Sequence, residues 1–480
     1  MKKIGLFSLI CMMVFVLAAC SNNTDGEAES SENEKAAGSQ HQTDKRTDAG
    51  KQTDTQTDTE PSSSKTENGK TVITFATFYE NDLFKEAKRK YEAKHPNIEI
   101  QLTSQHASGM DANWDNWETI HEQFVKTTNT QMLAGSGPDV LELDELPIGQ
   151  YVNQKVLVNV GELMENDPDF HKDQYFVNIL DNFKLNDGTY AIPLQFYLNG
   201  FTGVQEDIEQ TSVSFNDQSW TWEQFIQVSK EMINKGDKKH AFEAPTPGGL
   251  LNNLVQGRYS EFVDEANRKA NFDSAAFIGL MKQVQQMLDQ GIITTEGGGA
   301  DSTYFRDEIL LSISDYLRKQ NSSYGEKFYI MPHAEEQKAG GHFQALNMIG
   351  INAHSPVKEE AWDFVKFLMS EELGQSTDTL MDTGNQTGFP LNRNVYQKQA
   401  QNLLQIGKMN DYEGREFTIT EKDLQSLESY LTAAVHPIEY KFTLIQEIIY
   451  EESEAFFAGQ KSAEDVAKLI QNRVTTYLNE

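Results

Sequence analysis

The sequence predicts an α/β fold divided into lobes, and three observations carry that expectation. From residue 71 onward, β-branched runs alternate with helical periods: 71–78, 83–91, 98–102, 117–134 and 139–143 read strand, helix, strand, helix, strand. That order builds a parallel sheet with helices on both faces. The chain has 480 residues, and a single core stops growing well before that length, so two or more lobes are expected. Its two cysteines, Cys11 and Cys20, both lie at the head. The body therefore has no disulfide to rely on, and apolar burial must hold it together.

Taken in order, the chain opens on Lys2 and Lys3, an apolar run over residues 4–19, and then Cys20. A basic start, a short apolar core and the small residues Ala18 and Ala19 form a secretory signal. The run is too short and too abruptly ended for a membrane-spanning helix. Leu17-Ala18-Ala19-Cys20 resembles the lipobox of bacterial lipoproteins. The resemblance implies removal of residues 1–19 as a signal peptide, an acyl (palmitate) anchor on Cys20, and attachment to the outer face of the cell membrane. Acyl chains contribute about 0.8 kcal/mol per buried methylene, and two or more anchor stably.

Residues 20–70 follow as a tether. Thr-Asp recurs at Thr43-Asp44, Thr47-Asp48, Thr53-Asp54 and Thr57-Asp58, and apolar side chains are nearly absent. Nothing there offsets the entropy of ordering. Fifty such residues reach roughly 40 Å.

In the body, His95-Pro96 ends the helix at 83–91. Gly135-Ser136-Gly137-Pro138 breaks the helix at 117–134. Ligands of parallel sheets bind beyond the carboxyl ends of the strands. Those ends are Phe78-Tyr79-Glu80 and Leu143-Asp144. Asn186-Asp187-Gly188 makes a turn, and residues 190–201 are extended. Thr221 caps a helix over 222–235, and another helix spans 274–290. Residues 310–313 and 327–331 read as short strands, and 344–351 as a longer apolar one. Helices dominate from Val357. The last spans 462–478, behind a capping-box-like pair of Ser462 and Asp465.

The formal net charge is −32. The signal carries +2 and residues 21–70 carry −5, which leaves −29 on residues 71–480. A body this acidic repels nucleic acid and anionic lipid head groups, and it disfavours a polyanionic ligand.

Four local patterns resemble one family, the extracellular solute-binding proteins of bacterial ABC importers. Within it they match family 1, the carbohydrate-binding group that includes the maltose-binding protein. The patterns are Gly137-Pro138-Asp139-Val140; Asp187-Gly188-Thr189-Tyr190-Ala191-Ile192-Pro193; Gly350-Ile351-Asn352-Ala353 with Ala361-Trp362-Asp363-Phe364-Val365; and Gly459-Gln460-Lys461-Ser462-Ala463-Glu464-Asp465. Each alone is weak, and their order behind a lipobox is specific. The resemblance implies a two-lobed, type II periplasmic-binding-protein-like fold with an inter-lobe cleft. Lobe one would hold 71–192 plus 351–390, and lobe two 200–345 plus 391–480. Residues 193–199 and 346–350 would be the hinge crossings. It further implies capture of a carbohydrate by lobe closure and delivery to ABC permease subunits, with no catalysis and no cofactor. A neutral oligosaccharide and a monomeric receptor are expected.

A sugar site needs carboxylates and amides for the hydroxyls and aromatic faces for the rings. Phe78, Tyr79 and Glu80 follow the first strand, where the related proteins touch ligand; Glu80 equally suits a helix start. Glu142 and Asp144 follow Gly-Pro-Asp-Val, with Leu143 where the maltose-binding protein has a stacking Trp. Gln195, Tyr197 and Asn199 alternate along the first crossing and would line the cleft floor. Ser314, Asp315 and Tyr316 follow the 310–313 strand, and Phe343 follows Gly340-Gly341. Trp222 and Trp362 read as core, and Tyr440 as a wall residue.

Asp111, Asn113, Asp115 and Glu122 fall at positions 1, 3, 5 and 12 of a calcium-loop pattern. The glycine of position six is Asn116 here. The simpler alternative has Asp115 capping the helix that begins at Trp117. Two readings of other classes remain. One is an extracellular carbohydrate-active enzyme, for which no nucleophile motif, HExxH or phosphate loop stands in the sequence. The other is a receptor for a peptide or polyol.

Overall fold

The computed structural model describes residues 69–106, 116–185, 188–265, 267–374, 388–439 and 444–479. All belong to the unit Pro61–Glu480. Cys20 and the tether through residue 68, with Asp111, Asn113, Asp115 and Tyr440, lie outside the described residues.

Strand β1 (Thr71–Tyr79) pairs in parallel with β2 (Ile98–His106) and with β3 (Val140–Glu142). Between β1 and β2 the helix Asp82–Lys94 starts on Asn81, whose side chain accepts from Leu83 N at 2.9 Å. It buries Phe84, Ala87 and Tyr91. The helix Trp117–Leu133 connects β2 to β3. The buried Asp139 of the Gly-Pro-Asp-Val stretch fixes this layer. Its carboxylate accepts from Thr74 N at 2.8 Å, Thr74 Oγ1 at 2.6 Å and Ser355 Oγ at 2.6 Å.

Two long strands carry the sheet from one lobe to the other. The first crossing strand, Ile192–Val204, has 13 residues. Its first half pairs antiparallel with the second crossing strand, Gly341–Ile351. Its second half pairs antiparallel with Thr303–Leu310 and with Glu326–Ile330. The second crossing strand also joins β3, so the order runs β2-β1-β3, second crossing, first crossing, Thr303–Leu310 and His240–Glu243. Gly200 is required where these strands crowd together. A Cβ there would lie 2.5 Å from the Tyr329 carbonyl oxygen.

Three apolar clusters hold the layers. The first joins β1, β2 and the helix Lys358–Leu368 to the inner face of both crossings. The second lies in the other lobe, around Phe201, Phe225, Phe242, Phe305 and the C-terminal helix Ala463–Asn479. The third gathers Phe78, Phe124, Leu141, Leu143 and Tyr151 under the end of β1 and β3. Residues 391–434, expected with the second lobe, send Leu391, Tyr396, Leu403, Leu427 and Leu431 into the first cluster.

One element differs from the sequence reading. Residues 310–313 were expected as a strand, but the strand is Thr303–Leu310. Ser312 then caps a new helix, Ile313–Gln320, accepting from Asp315 N at 3.1 Å.

Candidate ligand-binding cleft

Residues directly opposite each other in an antiparallel pair project to the same face. Gln195 faces Leu346, Tyr197 faces Gln344, and Asn199 faces His342. On the other edge Asn199 faces Ile309, and Phe201 faces Asp307. The sheet shared by the lobes therefore shows one face on which Gln195, Tyr197, Asn199, Gln344 and His342 lie beside Leu346 and Ile309. Gln195, Tyr197 and Asn199 are half-buried, whereas Leu194, Phe196 and Leu198 between them are buried in the first cluster. The alternation along the crossing thus sorts polar from apolar as the period of a strand requires.

At the lobe-one end stands an aromatic platform. Trp117 Nε1 donates to the Tyr79 hydroxyl at 2.8 Å. The Trp117 indole stacks on the His121 ring at 4.8 Å and 10°. His121 Nε2 lies 3.0 Å from Glu145 Oε2. Phe78 supports the platform edge-on from below, 5.2 Å from His121. Burial raises the Tyr79 hydroxyl pKa, against the lowering effect of the Trp117 hydrogen bond.

Beside the platform, two acids join β3 to the second crossing. Glu142 Oε1 accepts from Asn347 Nδ2 at 2.9 Å. Asp144 accepts from Asn347 N at 3.0 Å and Met348 N at 2.7 Å. Burial pushes both carboxyls well above the usual range, and the charge of Asp144 pushes Glu142 further. Asn347 holds this arrangement with a left-handed backbone, φ +48°.

At the lobe-two end is a cavity of 330 Å³. Trp222, Asn253, Gln283, Asp307 and His342 are among its walls. His342 is 3% exposed, and its Nδ1 has no hydrogen-bond partner. Burial lowers its pKa well below the ordinary value, helped by His436 and His333. The His342 and His436 ring centroids are 5.0 Å apart.

The expected site residues divide into three groups. Tyr79, Glu142 and Asp144 meet at the lobe-one end, and Gln195, Tyr197 and Asn199 share the floor. Glu80 is exposed and pairs with Lys85 at 2.9 Å. Phe78, Tyr316 and Phe343 are core: they are 1%, 2% and 0% exposed. Phe343 points away from the floor because its neighbour His342 faces it. Ser314 and Asp315 ride on the helix that Ser312 starts, so the turn expected after a 310–313 strand does not form. Asp315 accepts from Leu311 N at 3.0 Å and Tyr412 Oη at 2.6 Å, and it pairs with Lys319 at 3.2 Å. Glu122, the last residue of the calcium pattern, is exposed on its helix, whose N-cap is Asn116. Among the described residues no three His, Cys, Asp or Glu side chains converge as a metal site. Trp362 is core as expected, with Nε1 donating to Asp167 at 2.8 Å. Trp222 is 8% exposed in the second cluster and also walls the cavity.

Trp117, His121, Asn347, Asp307 and His342 were not expected at the site. The i, i+4 spacing of Trp117 and His121 signals a shared helix face. Nothing local signals the other three, because their positions depend on strand pairing.

Chemically, such a cleft offers acceptors, amides and aromatic faces to a polar, ring-bearing guest. A family model described as bacterial extracellular solute-binding protein matches residues 76–375. Among solved structures, a family 1 extracellular solute-binding protein from Alicyclobacillus acidocaldarius is similar at TM-score 0.56 and 13% identity, over 86% of this chain and 99% of that one. The sugar-binding protein MalE from Xanthomonas citri is similar at TM-score 0.56 and 14% identity, over 85% and 98%. A periplasmic oligogalacturonide-binding protein from Yersinia enterocolitica is similar at TM-score 0.56 and 14% identity, over 85% and 99%. At these identities the likeness shows the fold. The expected two-lobed, type II arrangement with an inter-lobe cleft and crossing strands is borne out.

Proposed function

The chain belongs to the bacterial extracellular solute-binding proteins, and from that premise we propose that it is the carbohydrate receptor of an ABC importer. It captures a saccharide between the lobes, closes by a hinge motion, and presents the sugar unchanged to the permease. Cys20 carries the acyl anchor that holds it on the outer face of the membrane.

One observation carries the carbohydrate reading: the polar face of Gln195, Tyr197, Asn199 and Gln344 runs between the Trp117–Tyr79 platform and the Trp222-walled cavity. Amides and a phenol match hydroxyl groups one by one, and indole faces match the apolar side of a pyranose. The solved structures of the same fold include proteins whose names give sugars as ligands, which is consistent with this reading. The acidic body favours an uncharged guest over a uronate. The test is calorimetry with neutral mono- and oligosaccharides. Stoichiometric binding with the sugar recovered intact supports the receptor. Steady consumption of the sugar, or heat from peptides and polyols alone, overturns it.

A further inference from the structure

The chain passes between the lobes a third time. Leu427, Leu431 and Ala434 belong to the first cluster, and Ile445, Ile448 and Ile449 to the second. The strand Ala434–Pro437 between them pairs in parallel with the start of the second crossing strand. Where these strands meet, three buried histidines form a row. The His342 and His436 ring centroids are 5.0 Å apart, and those of His436 and His333 are 6.1 Å apart. Asn199 of the first crossing lies directly opposite His342. The hydrogen bonds of the row go to backbone: His333 Nδ1 and His436 Nε2 donate to the carbonyls of Ala334 and Lys338, both at 2.8 Å. His342 Nδ1 is buried without a partner.

The row underlies a strap, residues 331–340, that leads from the strand Glu326–Ile330 to the second crossing. This strap is pinned to both lobes. Gln337 Nε2 donates at 3.3 Å to the carbonyl of Gly257, which ends the lobe-two helix Pro247–Gln256. Lys338 Nζ donates at 2.9 Å to Asn182 Oδ1, at the end of the lobe-one helix Val177–Asn182. Ala334, Glu335, Glu336 and Gln337 also wall the lobe-two cavity. His436, bonded to the Lys338 carbonyl, thus holds the strap at the point where it reaches across.

The charges around the row do not suit an imidazolium. Lys338 adds a like charge beside His436. Glu223, Asp307, Glu335 and Glu336 are exposed. Arg258 is paired with Glu261 and Asp181 with Lys172. Asp217 accepts from the Ile330 amide, and Glu439 acts on Tyr259.

We propose that His342 and His436 form an acid-operated latch on the hinge: in mild acid the two rings take protons, repel each other, and release the strap, so that the lobes part and the cavity loses a wall. Burial and the mutual nearness of the rings hold both below the ordinary histidine value. Protons are therefore taken up by the unlatched form, and acid favours it. The inference goes beyond the receptor reading and does not depend on which saccharide is bound. Such a receptor holds its guest near neutrality and gives it up in acid.

The test is hydrogen exchange on the full ligand-free chain at about pH 7 and about pH 5, on either side of the ordinary histidine value. It is read as protection factors, which remove the intrinsic pH dependence of exchange. Peptides covering 331–342 and 434–438 should lose protection about tenfold or more, the factor that one proton contributes per pH unit, while β1 keeps its own. The double variant His342→Gln, His436→Gln should show equal strap protection at both pH values, since glutamine keeps a donor for the Lys338 carbonyl and takes no proton. If that variant does not fold, proton NMR of the natural protein decides. His342 and His436 must titrate at the pH where the strap opens, and titration elsewhere overturns the latch. Strap protection unchanged by acid, a loss shared equally by β1, or a pH step that survives the double variant also overturns it. Each of these results leaves the receptor reading standing.

Discussion

The backbone N–H of Asn347 donates to the Asp144 carboxylate at 3.0 Å, with Asn347 in the left-handed region at φ +48°. This bond ties the end of a lobe-one strand to the strand that crosses to lobe two. Asparagine tolerates such a backbone, and β-branched residues do not. Asn347→Val should therefore destabilise the fold by about 1–3 kcal/mol. Asn347→Gly should cost less, because it keeps the backbone and loses only the bond to Glu142. Thermal unfolding of the two variants checks the order.

The acid pair predicts a pH dependence. Glu142 and Asp144 have folded pKa values above their unfolded ones. Their contribution is fully present below the unfolded carboxyl range and is lost as pH rises through the raised values. The ligand-free protein should lose stability from these groups between roughly pH 4 and 8. Glu142→Gln keeps an acceptor for Asn347 Nδ2 and removes the charge. It should flatten the decline, read as melting temperature against pH.

The histidines act in the opposite sense. Burial holds His342 and His436 below the ordinary histidine value. The unfolded chain gains protons first as pH falls, so stability is lost below about pH 6.5. His342→Gln should lessen that acid sensitivity, while leaving the loss at higher pH unchanged. The same melting series measures it.

Removing binding residues should separate from removing core ones. Tyr197→Ala and Trp117→Ala should each weaken saccharide binding by about 1–2 kcal/mol with the fold intact, since both are half-buried. Asp315→Ala should do the reverse. It strips Lys319, Tyr412 and the Leu311 amide of their acceptor, which costs about 1–3 kcal/mol of stability. Calorimetry beside thermal melts tests both directions. Normal binding by both Tyr197→Ala and Trp117→Ala would remove the cleft assignment.

The anchor is tested in cells. Cys20→Ala should release the protein into the medium, as read by fractionation. Retention of that variant on the membrane would refute acylation at Cys20.

Much of the fold was legible in local pattern. The β-branched alternation from Thr71 gave β1, and Thr221 with Gln224 forms a true capping box at the helix Trp222–Lys235. The strand Thr303–Leu310 was not legible, because Arg306, Asp307 and Glu308 break its apolar run. Two of those charges are neutralised by Glu326 and Lys319, partners that only tertiary pairing brings near. The misplaced strand then carried Ser314, Asp315 and Tyr316 to the wrong surface. On the first crossing, period two was enough to put Gln195, Tyr197 and Asn199 on one face. On the second, the same rule favours His342 over Phe343 once the register with Asn199 is known.

Gln195 and Asn199 sit four residues apart on one face of one strand, a separation of roughly 14 Å at 3.4 Å per residue. The strand is thus a ruler laid under the guest. A lone pyranose is too short to touch both marks and would rest against one lobe, giving closure little to grip. Only an oligomer reaches across, so the receptor should discriminate by length before it discriminates by stereochemistry.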